Sequence, residues 1–136
     1  MTSLAGGIDW GIYVGLPFGD GPDEVTCWSL IRLVFKDVRG TDLPPYGDIS
    51  AYDLGRVARG MKAEAQSGRW STVIDPAPLD VVLMRSARGS GPVCHVGLIA
   101  GVGMMLHAEE NTGSALVALD HYTVKGRILG MRRFTA

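Results

Sequence analysis

The stretch VCHVGLIAGVGMMLHAE, residues 93–109, sets His95 and His107 twelve positions apart in an otherwise apolar run. Burying an imidazole without a polar partner is costly, so each ring needs a hydrogen-bonding neighbour or a chemical task. A third candidate stands upstream. Cys27 is followed by Leu30, Ile31, Val34, Phe35 and Val38 at helical spacing, which sets its thiol on the inward stripe of a helix's first turn. A helix N-terminus gathers unsatisfied N–H groups and positive potential, and so favours a thiolate. A free cysteine on an apolar stripe is more often a small packed hydrophobe, and Cys27 alone carries no more than that. The histidines change the reading. A thiol, an imidazole to take its proton and a second polar group to orient that imidazole are the parts of a nucleophile with its base.

In a strand, His95, Gly97 and Ile99 share one face, while Val96, Leu98 and Ala100 take the other. If residues 100–102 form the hairpin loop, Ile99 pairs with Gly103 and His95 falls directly opposite His107, with Cβ atoms about 4.5–5.5 Å apart. Two cysteines and two histidines also raise zinc. Cys94 and His95 are adjacent in a strand, however, and point to opposite faces. Neither Cys-x-x-Cys nor His-Glu-x-x-His occurs. No metal and no cofactor are expected, and Cys94 reads as a packed core residue.

Positions 6–24 are rich in Gly, Pro and Asp and read as irregular structure. A helix follows over 26–38, with Thr26 as N-cap. RGTDLPPYGD ends it. A second helix runs from Ser50 as N-cap, with Asp53 three residues on, to about Gln66, and ends near Gly68. The second half changes character: DVVLMR, CHVGLIA, MMLHAE, ALVAL and RILGMRRF are short, apolar and separated by turns. Helices followed by a run of strands indicate an α+β fold, with the Cys27 helix packed on a five- to six-stranded antiparallel sheet. The 136 residues make one domain, 1–136, long enough for a real core.

A net charge of −1 excludes a nucleic-acid footprint. No apolar stretch approaches the roughly 18 residues that span a bilayer, so no membrane insertion is expected. The start, MTSLAGGIDWG, lacks the basic end and apolar block of a signal peptide. Synthesis in the cytoplasm is the expectation, with any outside action requiring another carrier.

TCWSLIRLVF, LPPYG, PLDVVLMR, HVGLIAGVGMMLHAE and RILGMRRF, in that order, resemble the NlpC-type cysteine peptidases of the papain-like group. The likeness covers roughly residues 10–134. Trp28, the following LIRLVF and the closing ILGMRR are most similar to the branch encoded with bacteriophage tails and gene transfer agents. The resemblance implies Cys27 as nucleophile, His95 as base and His107 as the orienting third residue. It implies an endopeptidase or amidase acting on peptidoglycan stem peptides, often at the D-glutamyl–diaminopimelyl bond, with other tail proteins as partners and the host wall as place of action. The oxyanion would be held by the Cys27 N–H. Three positions depart from the family pattern: Thr26 replaces an Asp, Ser29 a Gly, and Phe18 a Tyr whose hydroxyl lies near the nucleophile. A catalytically silent tail-tip module and a small secreted amidase effector are the alternatives.

Phe18, Trp28, Ser29 and Glu109 are expected on the substrate side. Glu109, Glu110 and Asn111 otherwise read as a solvated strand end, and His121 as a surface residue. Arg85, Arg88 and the loop 89–91 border the cleft. Arg132 and Arg133 lie on an exposed terminal strand.

Overall fold

The computed structural model describes residues 7–45, 54–85, 93 and 95–135. Its first long element is helix α1, Cys27–Arg39, and the start is dictated locally. The Thr26 hydroxyl oxygen accepts from the Ser29 N–H at 3.0 Å, and the Ser29 hydroxyl accepts from the Thr26 N–H at 2.7 Å. This reciprocal box satisfies two donors at the helix start. Gly40 closes the helix in the left-handed conformation, φ 65°. Cys27, Leu30, Ile31, Val34 and Phe35 are buried. Val38, expected on the same stripe, is exposed, because the buried stripe ends at Phe35, one turn before the helix does.

Helix α2 spans Leu54–Ala65; its expected caps, Ser50 and Asp53, lie outside the described residues. Strands β1 (Trp70–Thr72), β2 (Val81–Met84), β3 (His95–Gly101), β4 (Met104–Glu109), β5 (Gly113–Ala118) and β6 (Ile128–Phe134) form one sheet. Their order is β1-β6-β2-β3-β4-β5, and every neighbouring pair is antiparallel. The α+β expectation holds, with six strands. β1 was not foreseen: it has three residues and owes its identity to pairing with β6, far away in the chain. Among the described residues no helix is long and apolar enough to cross a membrane.

Strand alternation divides the core in two. The stripe of α1 packs with Val81, Val96, Leu98, Ala100, Leu106 and Ala108. Val82, Met84, Ile99 and Met105 have the opposite parity, and Val124 from the β5–β6 connection closes over them.

The β3–β4 hairpin corrects the expected register. Gly101 pairs with Met104, so the loop is Val102–Gly103, and a bulge at Ala100 sets Ile99 against Met105 and Leu98 against Leu106. One further step along that register puts Gly97, not His95, across from His107. The slip from the expected pairing is two residues. An even slip keeps both imidazoles on one face, whereas an odd one would have parted them.

A second correction concerns Arg133. It is half exposed, but its Nε and Nη2 donate to the two carboxylate oxygens of buried Asp80 at 2.9 and 2.8 Å. Asp80 also accepts from the Ala77 N–H, so this pair clamps the approach to β2 against β6.

Residues 10–19 lie along the far edge of the sheet and then turn toward α1. A 3-10 helix, Trp10–Tyr13, leads into a segment stitched to β5. The Leu16 N–H donates to the Ser114 hydroxyl, which donates in turn to the Tyr13 carbonyl. Gly113 permits the approach: its φ is +68°, and a Cβ there would stand 2.4 Å from the Leu16 carbonyl oxygen. The segment then pairs with the residues just before α1, through the Val25 N–H to the Pro17 carbonyl and a Phe18–Val25 bridge.

Candidate active site

Cys27 is the first residue of α1 and is buried, packed in the same cluster as Val96 and Ala108, the chain neighbours of His95 and His107. Phe18 is partly buried against this cluster and lies beside Val25, two residues before the cysteine.

The two histidines meet. His95 Nε2 and His107 Nδ1 are 2.9 Å apart, the rings crossing edge to face with centroids at 5.2 Å. Both are buried, at 7% and 6% exposure. The contact is diagonal, because Gly97 and not His95 stands across from His107; the Met105 side chain fills the space a Cβ at Gly97 would take. At 2.9 Å one proton lies between the nitrogens, so one ring donates and the other accepts. Burial pushes His95 down to about 3; the Glu109 carboxylate opposes that shift, and His107 and Arg127 add to it. His107 is lowered as well, first by burial and against the same carboxylate. Both rings are therefore neutral near pH 7.

Glu109 is not a solvated strand end. It is only one-quarter exposed at its side chain, and Arg127 binds it with both ends of the guanidinium, Nη1 to Oε1 and Nη2 to Oε2 at 2.9 Å each. Burial works to raise its pKa, but the Arg127 hydrogen bonds and charge, with the imidazoles beside it, outweigh that and hold the carboxyl below its usual range. Glu109 Oε1 stands 3.6 Å from His107 Nδ1, near enough for electrostatics and too far for a hydrogen bond. Arg127 ends the 3-10 turn Lys125–Arg127 before β6. The sequence reading missed it. No spacing rule links positions 109 and 127, which meet only because the β5–β6 connection closes over that side of the sheet.

The ligating atoms of His95, His107 and Glu109 lie within 4.8 Å of one another. Both oxygens of Glu109 are bound by Arg127, so a cation held there would stand close to the guanidinium charge.

Two residues expected on the substrate side make structural hydrogen bonds. The Ser29 hydroxyl completes the cap of α1, and the Trp28 Nε1–H donates to the Pro44 carbonyl at 2.8 Å, tying α1 to the segment that follows it. Arg85 lies beside the site: its N–H donates to the Arg127 carbonyl, and its own carbonyl accepts from Arg127 Nε. His121 is exposed and bonds Thr123 within its own turn. Cys94, Arg88 and the loop 89–91 lie outside the described residues.

The same architecture occurs in solved structures. A NlpC/P60 family protein from Bacillus cereus ATCC 10987 superposes with a TM-score of 0.61 at 20% identity, over 91% of this chain and 37% of its own. A protein from Staphylococcus aureus subsp. aureus Mu50, described as similar to lipoprotein, NLP/P60 family, gives 0.62 at 22% identity, over 92% and 38%. At such identities the likeness is one of fold, and this chain spans less than two-fifths of either protein. No curated protein matches. Residues 15–133 match the NlpC/P60 family, a span that holds Cys27, His95, His107, Glu109 and Arg127. The chain belongs to the NlpC/P60 family.

Proposed function

We propose that this protein is a cysteine peptidase or amidase that cleaves peptidoglycan stem peptides, with Cys27 as nucleophile, His95 as base and His107 as the residue that orients His95. The observation that carries the reading is the 2.9 Å contact between His95 Nε2 and His107 Nδ1. It engages one nitrogen of His95 and leaves Nδ1 for a second group. If Nε2 carries the proton and His107 accepts it, Nδ1 holds a lone pair and can take a proton from a thiol. Cys27 packs with the α1 side of the sheet, whereas His95 has the parity of Ile99. His95 opens β3, so the reading requires its ring to meet the thiol around the strand end.

The chemistry then follows in two halves. The Cys27 proton passes to His95 Nδ1, the sulfur attacks the amide carbonyl, and the amine leaves with that proton, giving a thioester that water hydrolyses. Developing oxyanion charge falls at the start of α1, where the Cys27 N–H has no intrahelical acceptor. Family membership supports the cell-wall substrate, and the D-glutamyl–diaminopimelyl bond is the bond proposed. The likeness of Trp28, LIRLVF and ILGMRR to tail-encoded members supports a virion tail component working at the host wall, with other tail proteins as partners.

Phe18 favours a second reading, a silent tail module, because it packs beside the helix start with no hydroxyl to offer an oxyanion. Incubation with purified sacculi separates the two. The enzyme releases stem-peptide fragments identifiable by mass, and Cys27→Ala releases none. Intact sacculi with the wild-type protein would establish the silent module.

A further inference from the structure

We propose that Arg127 is a positioning residue that guards the tautomer of the histidine pair, by pinning Glu109 short of His107. The inference rests on the proposed Cys27–His95 chemistry but concerns residues which that chemistry does not use.

His107 Nδ1 has two candidate partners, His95 Nε2 at 2.9 Å and Glu109 Oε1 at 3.6 Å. They make opposite demands. A carboxylate is acceptor-only, so closing onto Nδ1 would require His107 to carry its proton there. His107 would then be unable to accept from His95 Nε2. His95 would be forced to the other tautomer, with its proton on Nδ1, where it cannot receive one from a thiol. A wrong tautomer in a base of this kind is severely damaging.

Arg127 prevents the closure. Its fork occupies both oxygens of Glu109. The guanidinium itself is fixed at two further points, Nε on the Arg85 carbonyl at 3.2 Å and Nη1 on the Thr123 carbonyl at 3.2 Å. Its side chain is 11% exposed, so this is a buried device and not a surface ion pair. A buried pair of this kind is weak evidence for stability, since apolar residues of similar volume often do as well. The carboxylate is still close enough to favour the positive charge that develops on the imidazoles during proton transfer.

The test reads the tautomers directly. Imidazole nitrogen NMR of the folded protein at pH 7 should show His95 protonated at Nε2. In Arg127→Met the released carboxylate captures His107 Nδ1, and His95 moves to the Nδ1-protonated form. On wall fragments kcat falls at least about tenfold, as a misplaced imidazole proton requires, with KM little changed. The double variant Arg127→Met/Glu109→Leu removes guard and competitor together, and His95 returns to Nε2–H with kcat partly restored. A purely structural ion pair would move stability alone and show no such return. If Arg127→Met does not fold, the double variant decides, because the apolar pair leaves no charge unmatched. Retention of the Nε2 tautomer there supports the inference and its loss overturns it. An unchanged His95 tautomer in folded Arg127→Met also overturns it. The nitrogen spectra need no turnover, so an inactive wild type would sink the hydrolase reading and leave this one standing or falling by itself.

Discussion

The two halves of the site are built in different ways. At the proposed nucleophile, the signals that start the helix and turn Cys27 inward are near it in the chain. Thr26 and Ser29, three residues apart, cap the helix, and the stripe from Leu30 to Phe35 turns the first residue inward. At the proposed base, the hydrogen bonds are long-range. His95 and His107 are separated by 12 residues and Glu109 and Arg127 by 18, and they meet only once the sheet and the β5–β6 connection have formed. The helix end offers positive potential that favours a charged thiolate, while burial at the sheet holds the imidazoles neutral. The contrast gives each half a separate failure mode. The local half depends on residues within one helical turn, and the long-range half on the sheet that brings its members together.

The largest expected effect tests whether the halves act as one. His95→Ala should cut release of wall fragments by about 10²–10⁴-fold, the usual contribution of a positioned base. α1 should keep its fold, read by circular dichroism. His107→Ala should also cost more activity than stability. His107→Asn should keep part of the activity, because an amide oxygen can still accept from His95 Nε2. Equal losses for Ala and Asn would remove the orienting role from His107.

Acid should separate the halves next. The folded-state pKa values of His95 and His107 lie below the ordinary imidazole value near 6.5. Between that value and the folded values, the unfolded chain binds more protons than the native one, so unfolding free energy rises with pH. Stability is full above about pH 6.5 and drains as pH falls toward 3, the folded value for His95. The depressed Glu109 adds loss in the same direction at the acid end. Chemical denaturation across this range should show the slope, and a double His95→Asn/His107→Asn variant should flatten it. A slope that persists undiminished would mean that other groups carry the acid sensitivity.

The same contrast decides what was legible in the sequence. Helix α1 was readable to within a residue because its signals are local: an N-cap, an apolar stripe and the breaking segment RGTDLPPYGD. The strands were readable as short apolar runs separated by turns, save β1, which is too short to carry a pattern. The meeting of the histidines was foreseen for the right face and the wrong register. Parity is set by alternation, but register depends on where a bulge falls, and the one at Ala100 left no signal among neighbouring small residues. Glu109 looked solvated because its partner lies on an element that no periodicity joins to β4. Thr26 and Ser29, departures from the family pattern, turn out to be consistent with each other, since together they make the cap.

That cap supplies the smallest effect and the finest test of the local half. Thr26→Ala removes the acceptor for the Ser29 N–H and should cost about 1 kcal/mol of stability, as N-cap losses typically do. Thr26→Asp restores the residue type common in the family and keeps an acceptor at the same place. Its carboxylate also suits the positive end of α1, a gain of about 0.3–1 kcal/mol, so thermal stability should match or exceed wild type. The thiol responds in the other direction. A negative charge on the residue beside Cys27 disfavours the thiolate, so alkylation by iodoacetamide at fixed pH should slow in Thr26→Asp although the helix is better capped. Thr26→Asn, isosteric and neutral, should keep the cap without the slowing. Capping and thiol reactivity would then be separable at one position. If alkylation instead follows stability through Ala, Asn and Asp alike, the thiol senses only the order of the helix end and not its charge.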